Sequence, residues 1–444
     1  MKPKVLICTI ESWNSKVGAN TFSSLFTGWP AENLANVYIR EELPDSPCCS
    51  RYFRISENQV IKSVVKRRLK TGKEVAACQQ STEADEKMLS DSRELYNKNR
   101  KKRSFAKLFV RELLWKCGKW KTPELDAFVD SFQPDIVVFG MEGYIHFNRI
   151  CRYIVKRTGA KAVGYFWDDT FTYKQMPGNM GYKLMRYFKR KSLKKLAPKC
   201  HAFWAITDKT KQEADEFFGI DCQVLTKPID FAPGEKWQPY SLHTPVKMLY
   251  TGNLLIGRFD SIIAVSEALK KINADGVKIE LDVYSGSYIT PEDQAKLSEF
   301  VHMKGVVPQS EVLKLQEQAD VLLFAEAMTG EHSQIARLSF STKLTDYFHS
   351  GKCIFAVGAK NVAPMEYLAA HNAALCAGNE DEILEQLQKL AESPEIINKT
   401  AENAYLCGIT NHSAEKIRKK LADTFIRILK SDEPVEEINS DEHI

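Results

Sequence analysis

Short apolar runs alternate with helix-periodic segments through the second half of the chain. Val246–Thr251 is an apolar run ending in Gly252-Asn253. Ile262, Ile263, Val265, Leu269 and Ile272 then recur at three- and four-residue steps, the spacing of one helix face. Val277–Tyr284 alternates as a strand and stops at Ser285-Gly286. Pro291-Glu292-Asp293 opens a helix, with proline and acids in its first turn. Further strands are predicted at Val301–Val307, Asp320–Phe324, Cys353–Val357 and Ala374–Cys376. Helices are predicted from Ser310, near Ser341–His349, around Met365–Ala369 and over Asp381–Leu390. Strands alternating with helices predict a parallel sheet covered on both faces.

The first half reads the same way but is interrupted. Strands are predicted at Lys4–Thr9, Asp135–Phe139, Ala162–Phe166, Ala202–Ile206 and Gln223–Leu225. Between the first two lies a basic segment, about 45–122, predicted to hold extra helices. Lys227-Pro228-Ile229-Asp230, Pro233-Gly234 and Pro239 read as a linker. The expected organisation is an α/β chain of two Rossmann-like domains, residues 1–235 and 236–430, with an acidic and disordered tail over 431–444.

Composition narrows the classes. The chain has 444 residues, 44% hydrophobic and 27% charged, which suits a soluble globular protein and excludes a disordered or collagen-like one. No apolar run is long enough for a membrane span. The first apolar stretch runs into polar Thr9, Glu11 and Ser12, too short for a signal sequence. Eleven cysteines show no CxxC pair or zinc spacing, so reduced cytoplasmic thiols and no metal site are expected. Net charge is +5, but residues 1–240 carry +15 and residues 241–444 carry −10. The basic half predicts an anionic partner.

In open α/β sheets, ligands sit beyond the strand carboxyl ends, where helix N-termini offer unpaired N–H groups to anions. Two loops of the second half fit. Gly252-Asn253 directly follows a strand, and Arg258 stands close enough to grip a diphosphate. Ser341-Thr342-Lys343 opens a helix, with hydroxyls, N–H groups and a cation at one place. Asp346, one turn on, is suited to a ribose diol. Taken singly, the first reads equally as a turn and the second as an ordinary N-cap.

The segments LYTGNLLIGRFDSI, GVVPQSEVLKLQEQADVLLFA and LSFSTKLTDYFHSGKCIFAVG resemble the nucleotide-sugar domain of GT-B glycosyltransferases. The similarity is to the family-4-like enzymes of bacterial capsular and cell-surface polysaccharide synthesis. It covers about residues 246–376 and extends more loosely to 1–30 and 133–230. The resemblance implies two domains with parallel sheets facing across a cleft, a nucleoside-diphosphate sugar as donor and no cofactor. It implies that Gly252-Asn253 lie under the diphosphate and that Arg258 matches the phosphate-binding arginine. The lysine that usually follows is replaced by Asp260-Ser261, and Lys343 is positioned to supply its charge. Of the family's two glutamates, the second corresponds to Asp346 and the first to Leu338, which removes a carboxylate. Val306 and Val307 match the backbone that reads the nucleobase.

The first domain should then hold the acceptor, a glycan on a lipid carrier. Gly18 and Asn20 follow the first strand, at the place of a flexible acceptor loop. Glu142, His146, Asp168 and Asp169 follow later strands, and each is a candidate general base. Equally, the aspartates read as caps and His146 as an exposed loop residue. In Lys183–Lys199, Leu184, Met185, Phe188, Ser192 and Leu196 share a helix face, with Arg186, Lys189, Arg190, Lys194 and Lys195 mostly around it. Lys101–Lys121 is similar. These stretches predict contact with an anionic membrane surface, the inner face of the cell membrane, or else a solvated face over ordinary core. No nucleic-acid motif accompanies them. A nucleotide-sugar 2-epimerase and a non-catalytic nucleotide-sugar-binding scaffold subunit are the competing functions.

Overall fold

The computed structural model describes residues 2–14, 21–79, 81–83, 85–87, 89–90, 105–176 and 178–431. The chain forms two compact units. The first runs to Thr226 and regains the chain at Arg418; the second spans Lys227–Ile417. The sequence reading instead divided the chain after residue 235 and kept everything to 430 in the second domain. Two features move the boundary. Ile229 joins the second unit through its N–H to the His412 carbonyl, at 2.7 Å. The last helix, Ala414–Lys430, carries Thr424 and Phe425 into the first unit's core.

The first sheet has eight strands in the order β4-β3-β2-β1-β5-β6-β7-β8. In chain order they are β1 Val5–Thr9, β2 Leu34–Tyr38, β3 Arg51–Ile55, β4 Gly72–Val75, β5 Ile136–Gly140, β6 Lys161–Phe166, β7 Ala202–Ala205 and β8 Cys222–Val224. All neighbouring pairs are parallel except β3 with β4. Three of these strands, β2, β3 and β4, escaped the sequence reading, and two of them lie in the segment expected to be helical. Polar residues concealed them. Asn36, at the centre of β2, is fully buried and donates to the Ile7 carbonyl at 3.0 Å and to Thr9 Oγ1 at 2.9 Å. Arg54 of β3 is buried against Asp85 at 2.7 Å. Arg51 pairs with Glu74 across the antiparallel edge at 2.8 Å. Side chains that satisfy one another cross-strand need no apolar run to hold a sheet.

The second sheet has six parallel strands in the order β11-β10-β9-β12-β13-β14. They are β9 Val246–Thr251, β10 Ile279–Tyr284, β11 Val301–Gly305, β12 Val321–Ala325, β13 Cys353–Val357 and β14 Leu375–Ala377. This unit follows the predicted strand-helix alternation closely. Strands β12 and β13 are buried at every position, as continuous apolar runs in a doubly covered sheet should be. In both sheets the strand order reverses beside the first strand of the unit, between β1 and β5 and between β9 and β12. Such reversals open a crevice at the strand carboxyl ends.

The closing helix fastens the C-terminal segment to the first unit. Phe425 is fully buried, with its ring 6.2 Å from Phe26, 5.7 Å from Trp29 and 5.7 Å from Trp204. Phe425→Ala should destabilise the first unit by about 3–5 kcal/mol, measured by chemical denaturation with tryptophan fluorescence. A change below about 1 kcal/mol would show that the helix is a passenger on that unit.

Candidate functional site

The reversal in the second sheet assembles the better-defined site. After β9 the chain turns at Gly252, whose φ of +145° is a conformation that L side chains rarely adopt. A Cβ there would stand 1.9 Å from Lys343 Nζ, so the lysine amine rests directly against the glycine. Lys343 reaches this place from the first turn of the helix Thr342–Ser350 and passes over the Tyr250 ring at 4.7 Å. Burial, reinforced by the nearby Arg258 guanidinium and opposed by Glu326, brings its pKa down to about 8. Ser341 occupies the N-cap position, yet its hydroxyl makes no capping hydrogen bond. Thr342, which follows it, is exposed.

Arg258 opens the helix Arg258–Ile272, after two consecutive positive φ angles at Ile256 and Gly257. Its guanidinium donates to Asn253 Oδ1 at 2.9 Å and to Glu326 Oε1 at 2.9 Å. Glu326 follows β12, and its carbonyl accepts from Ser261 Oγ at 2.7 Å. The ion pair therefore spans the strand reversal. Glu326 had no place in the sequence reading. Lying just beyond an apolar strand, a single carboxylate there carries no pattern.

A cavity of about 220 Å³ opens at the ends of β9, β10 and β11. Gly252, Val306, Val307, Lys343 and Asp346 line it, together with Gln316. Asn253, Arg258, Ser341 and Thr342 are not among its lining residues; Arg258 and Asn253 are joined to each other beside the loop. Asp346 stands one turn beyond Lys343. Lys227 Nζ lies 3.6 Å from its carboxylate, and burial raises the Asp346 pKa against that lysine's pull. Lys227 is itself buried. The sequence reading placed it in a linker, because proline and glycine around it hid a side chain aimed back at the second sheet. Leu338, at the position of the missing glutamate, is fully buried core.

In the first unit the candidate bases separate by environment. Glu142 follows β5, and burial raises its pKa to about 8, reinforced by Asp168 and Glu11 and opposed by Lys189. Asp168 follows β6 and is exposed. Asp169 is buried and closes the next turn, accepting from the Thr172 N–H at 2.9 Å. His146 is no loop residue: it lies in the first turn of the helix Ile145–Thr158 and is 1% exposed. Its ring stacks on Trp115 at 4.3 Å, with Nδ1 3.0 Å from Glu112. Asp169 and His146 thus serve the local fold, while Glu142 and Asp168 remain at the strand ends. Gly18 and Asn20 lie outside the described residues. Among the described residues, no group of three or more His, Cys, Asp or Glu side chains is placed to hold a metal ion.

The basic helices also differ from expectation. In the helix Met180–Leu196, Arg186 is buried and donates to the Asp169 carbonyl at 2.8 Å. Burial brings the Lys189 pKa down to about 8. Arg190 donates to the Phe171 carbonyl at 2.7 Å and stacks on Phe217. These three cations belong to the fold, whereas Lys183, Lys191, Lys194 and Lys195 are exposed. The apolar pattern is reversed in part too: Leu184 and Phe188 face solvent.

No protein-family model matches the chain, and no curated protein matches it. Solved structures do match over nearly the whole length. HepE of Anabaena in complex with UDP and glucose aligns with a TM-score of 0.58 at 9% identity, covering 96% of this chain and 100% of that one. An α,α-trehalose 6-phosphate synthase from Burkholderia multivorans aligns at 0.56 and 10% identity, covering 97% and 98%. A glycosyltransferase from Rickettsia africae aligns at 0.54 and 12% identity, covering 97% and 99%. These neighbours are GT-B glycosyltransferases, and the fold of this chain is GT-B, two Rossmann-like units built on parallel sheets. The likeness is one of fold.

The depressed lysine gives a pH signature. Lys343 is cationic below about pH 8 and loses its proton as pH rises through that value. Any anion it holds should bind more weakly above that pH. Affinity for a probe anion such as sulfate, measured by calorimetry from pH 7 to 9.5, should fall across this range in the wild type. The fall should disappear in Lys343→Arg, whose guanidinium stays charged.

Proposed function

We propose that this protein is a glycosyltransferase that moves a sugar from a nucleoside diphosphate to a hydroxyl of a lipid-linked surface glycan. One observation carries the reading: the Lys343 ammonium lies against Gly252 in the lining of a cavity that Asp346, one helical turn on, lines as well. A leaving diphosphate needs positive charge and free N–H groups where it departs. Lys343 and the helix N-terminus supply both, and Arg258, held by Glu326 and Asn253, adds a second cation beside the loop. Asp346 takes the ribose diol, and the backbone at Val306 and Val307 meets the base. HepE, which shares the fold, was solved with UDP-glucose as well as UDP.

In the first unit, Asp168 acts as general base, or Glu142 in the ionised form that its raised pKa allows only towards about pH 8. The acceptor hydroxyl loses its proton to the carboxylate and attacks the anomeric carbon. The bond to the diphosphate breaks, and the nucleoside diphosphate leaves with the bonding electron pair on its own β-phosphate oxygen, its charge met by Lys343 and the helix N-terminus. No metal is required, since protein cations neutralise the leaving group. Arg258→Ala and Lys343→Ala should each weaken UDP-sugar binding at least tenfold, and transfer should persist in EDTA. Asp168→Asn or Glu142→Gln should lower kcat while leaving UDP affinity intact. Full activity of both cation variants would overturn the site. Nucleotide binding without transfer to any acceptor would favour the scaffold reading, which the loss of a carboxylate at Leu338 supports.

The acceptor is assigned to a membrane because of two helices of the first unit. Phe105–Cys117 packs on Met180–Leu196, with Phe109 and Phe188 rings 5.6 Å apart. Val110, Leu113, Met180, Leu184 and Tyr187 are each more than half exposed on these helices. Exposed Lys107, Lys183, Lys191, Lys194 and Lys195 lie on the same two helices. Apolar side chains among lysines suit the interface of an anionic bilayer, at about 1 kcal/mol per basic residue. Among the described residues, no helix is long and apolar enough to cross a membrane. The proposed location is peripheral, on the inner face of the cell membrane. In liposome flotation it should rise with anionic vesicles at low salt and less at high salt. Replacing those five lysines with glutamine should abolish flotation and leave UDP binding unchanged. A wild type that stays in the soluble fraction at low salt would overturn the membrane assignment.

A further inference from the structure

The carboxylate that lines the donor cavity is paired with a cation that does not. Asp346 lines the cavity from the helix Thr342–Ser350, and 33% of its side chain is exposed. Lys227 is absent from the lining, yet its ammonium stands 3.6 Å from Asp346 Oδ1 with only 8% of the side chain exposed. It comes from the connector that begins the second unit. That connector is held in place: the Lys227 carbonyl lies 3.4 Å from His412 Nδ1, and the Ile229 N–H donates to the His412 carbonyl at 2.7 Å. An exposed ion pair contributes little because water screens it, whereas a buried cation acts on its partner through a poorly screening interior. Burial raises the Asp346 pKa, and Lys227 opposes the rise, with a further pull from His349 three residues along the helix. Lys343, three residues earlier, is directed instead over Tyr250 to Gly252. The ionisation state of Asp346 matters because a carboxyl group accepts from both hydroxyls of a diol only when both its oxygens are free acceptors; once protonated, one becomes a donor.

We propose that Lys227 is a positioning residue of the donor site, which holds Asp346 ionised and oriented to accept the hydroxyls of the donor's ribose. This rests on the donor reading given above. Lys227 acts through Asp346 alone, since it does not line the cavity. It also balances the negative charge that Asp346 would otherwise present to a diphosphate in the same cavity. Without the cation, burial of Asp346 is opposed by His349 only, so the carboxyl group takes up its proton at a higher pH.

The test is a double-mutant cycle on the full chain: wild type, Lys227→Met, Asp346→Asn and the double variant, with melting temperatures checking the fold. Calorimetry uses UDP and GDP, from about pH 7 down to about pH 5.5, where Lys343 stays largely cationic. Lys227→Met should bind the preferred nucleotide roughly tenfold more weakly than the wild type near neutral pH. On acidification its affinity should begin to fall at a higher pH than that of the wild type. In the Asp346→Asn background, Lys227→Met should cost less than about twofold, and the pH difference should vanish. Wild-type affinity of Lys227→Met, an unshifted pH profile, or losses that multiply in the double variant would each overturn this assignment alone. Should Lys227→Met fail to fold by itself, the double variant has no unpaired charge, and a further loss in it relative to Asp346→Asn overturns the assignment equally. If the wild type binds neither nucleotide, the donor reading falls and this assignment with it.

Discussion

The contact between Lys343 and Gly252 is the constraint on which the second unit's chemistry depends. A buried ammonium is expensive, and this one is tolerated because it lies over the Tyr250 ring and near the Glu326 carboxylate. A Cβ at position 252 would displace the lysine amine, and the φ of +145° there is one that L side chains rarely adopt. Glycine, lysine and helix start are thus one device: the loop leaves the strand, the helix meets it, and a cation fills the gap between them. The strand order makes this possible. Because the order reverses between β9 and β12, the connections leave in opposite directions and the crevice between them stays open.

The same topology in the first unit hosts a different electrostatic balance. There the strand ends gather carboxylates, and Glu142 is raised to about 8 by burial and by its acidic neighbours. Asp168, on the adjacent strand end, is exposed to water. A carboxyl group raised as far as that of Glu142 is largely protonated at neutral pH, as a proton donor in acid–base chemistry must be. Lys189, itself depressed, sits among these groups as a counter-charge rather than as part of a basic surface.

The chain passes between the two units twice, after Thr226 and after Ile417. The connector beginning at Lys227 serves the second unit, with Lys227 approaching Asp346 and Ile229 pairing with the segment at His412. The last helix then returns the chain to the first unit, where Phe425 enters an aromatic cluster with Trp204 and Trp29. Residues far apart in sequence therefore stabilise the same element, and a boundary drawn along the chain divides neither unit correctly.

The sequence alone determined the second sheet, since strands such as Cys353–Val357 are continuous apolar runs and helices such as Arg258–Ile272 repeat at their own period. Local pattern suffices where every side chain on a strand is buried against hydrocarbon. It also marked Gly252, Lys343 and Asp346, because loop, helix start and one-turn spacing are local properties. Tertiary structure decided the rest. Asn36, Arg51 and Arg54 concealed strands because their partners, Ile7, Glu74 and Asp85, lie across the sheet or in another segment. Arg186 and Arg190 looked like surface cations until carbonyls at Asp169 and Phe171 claimed them. His146 looked exposed until Trp115 covered it. Glu326, Lys227 and Gln316 entered the site from segments without a motif. In each case the meaning of a polar residue is set by the group it meets in space, and linear sequence does not contain that meeting.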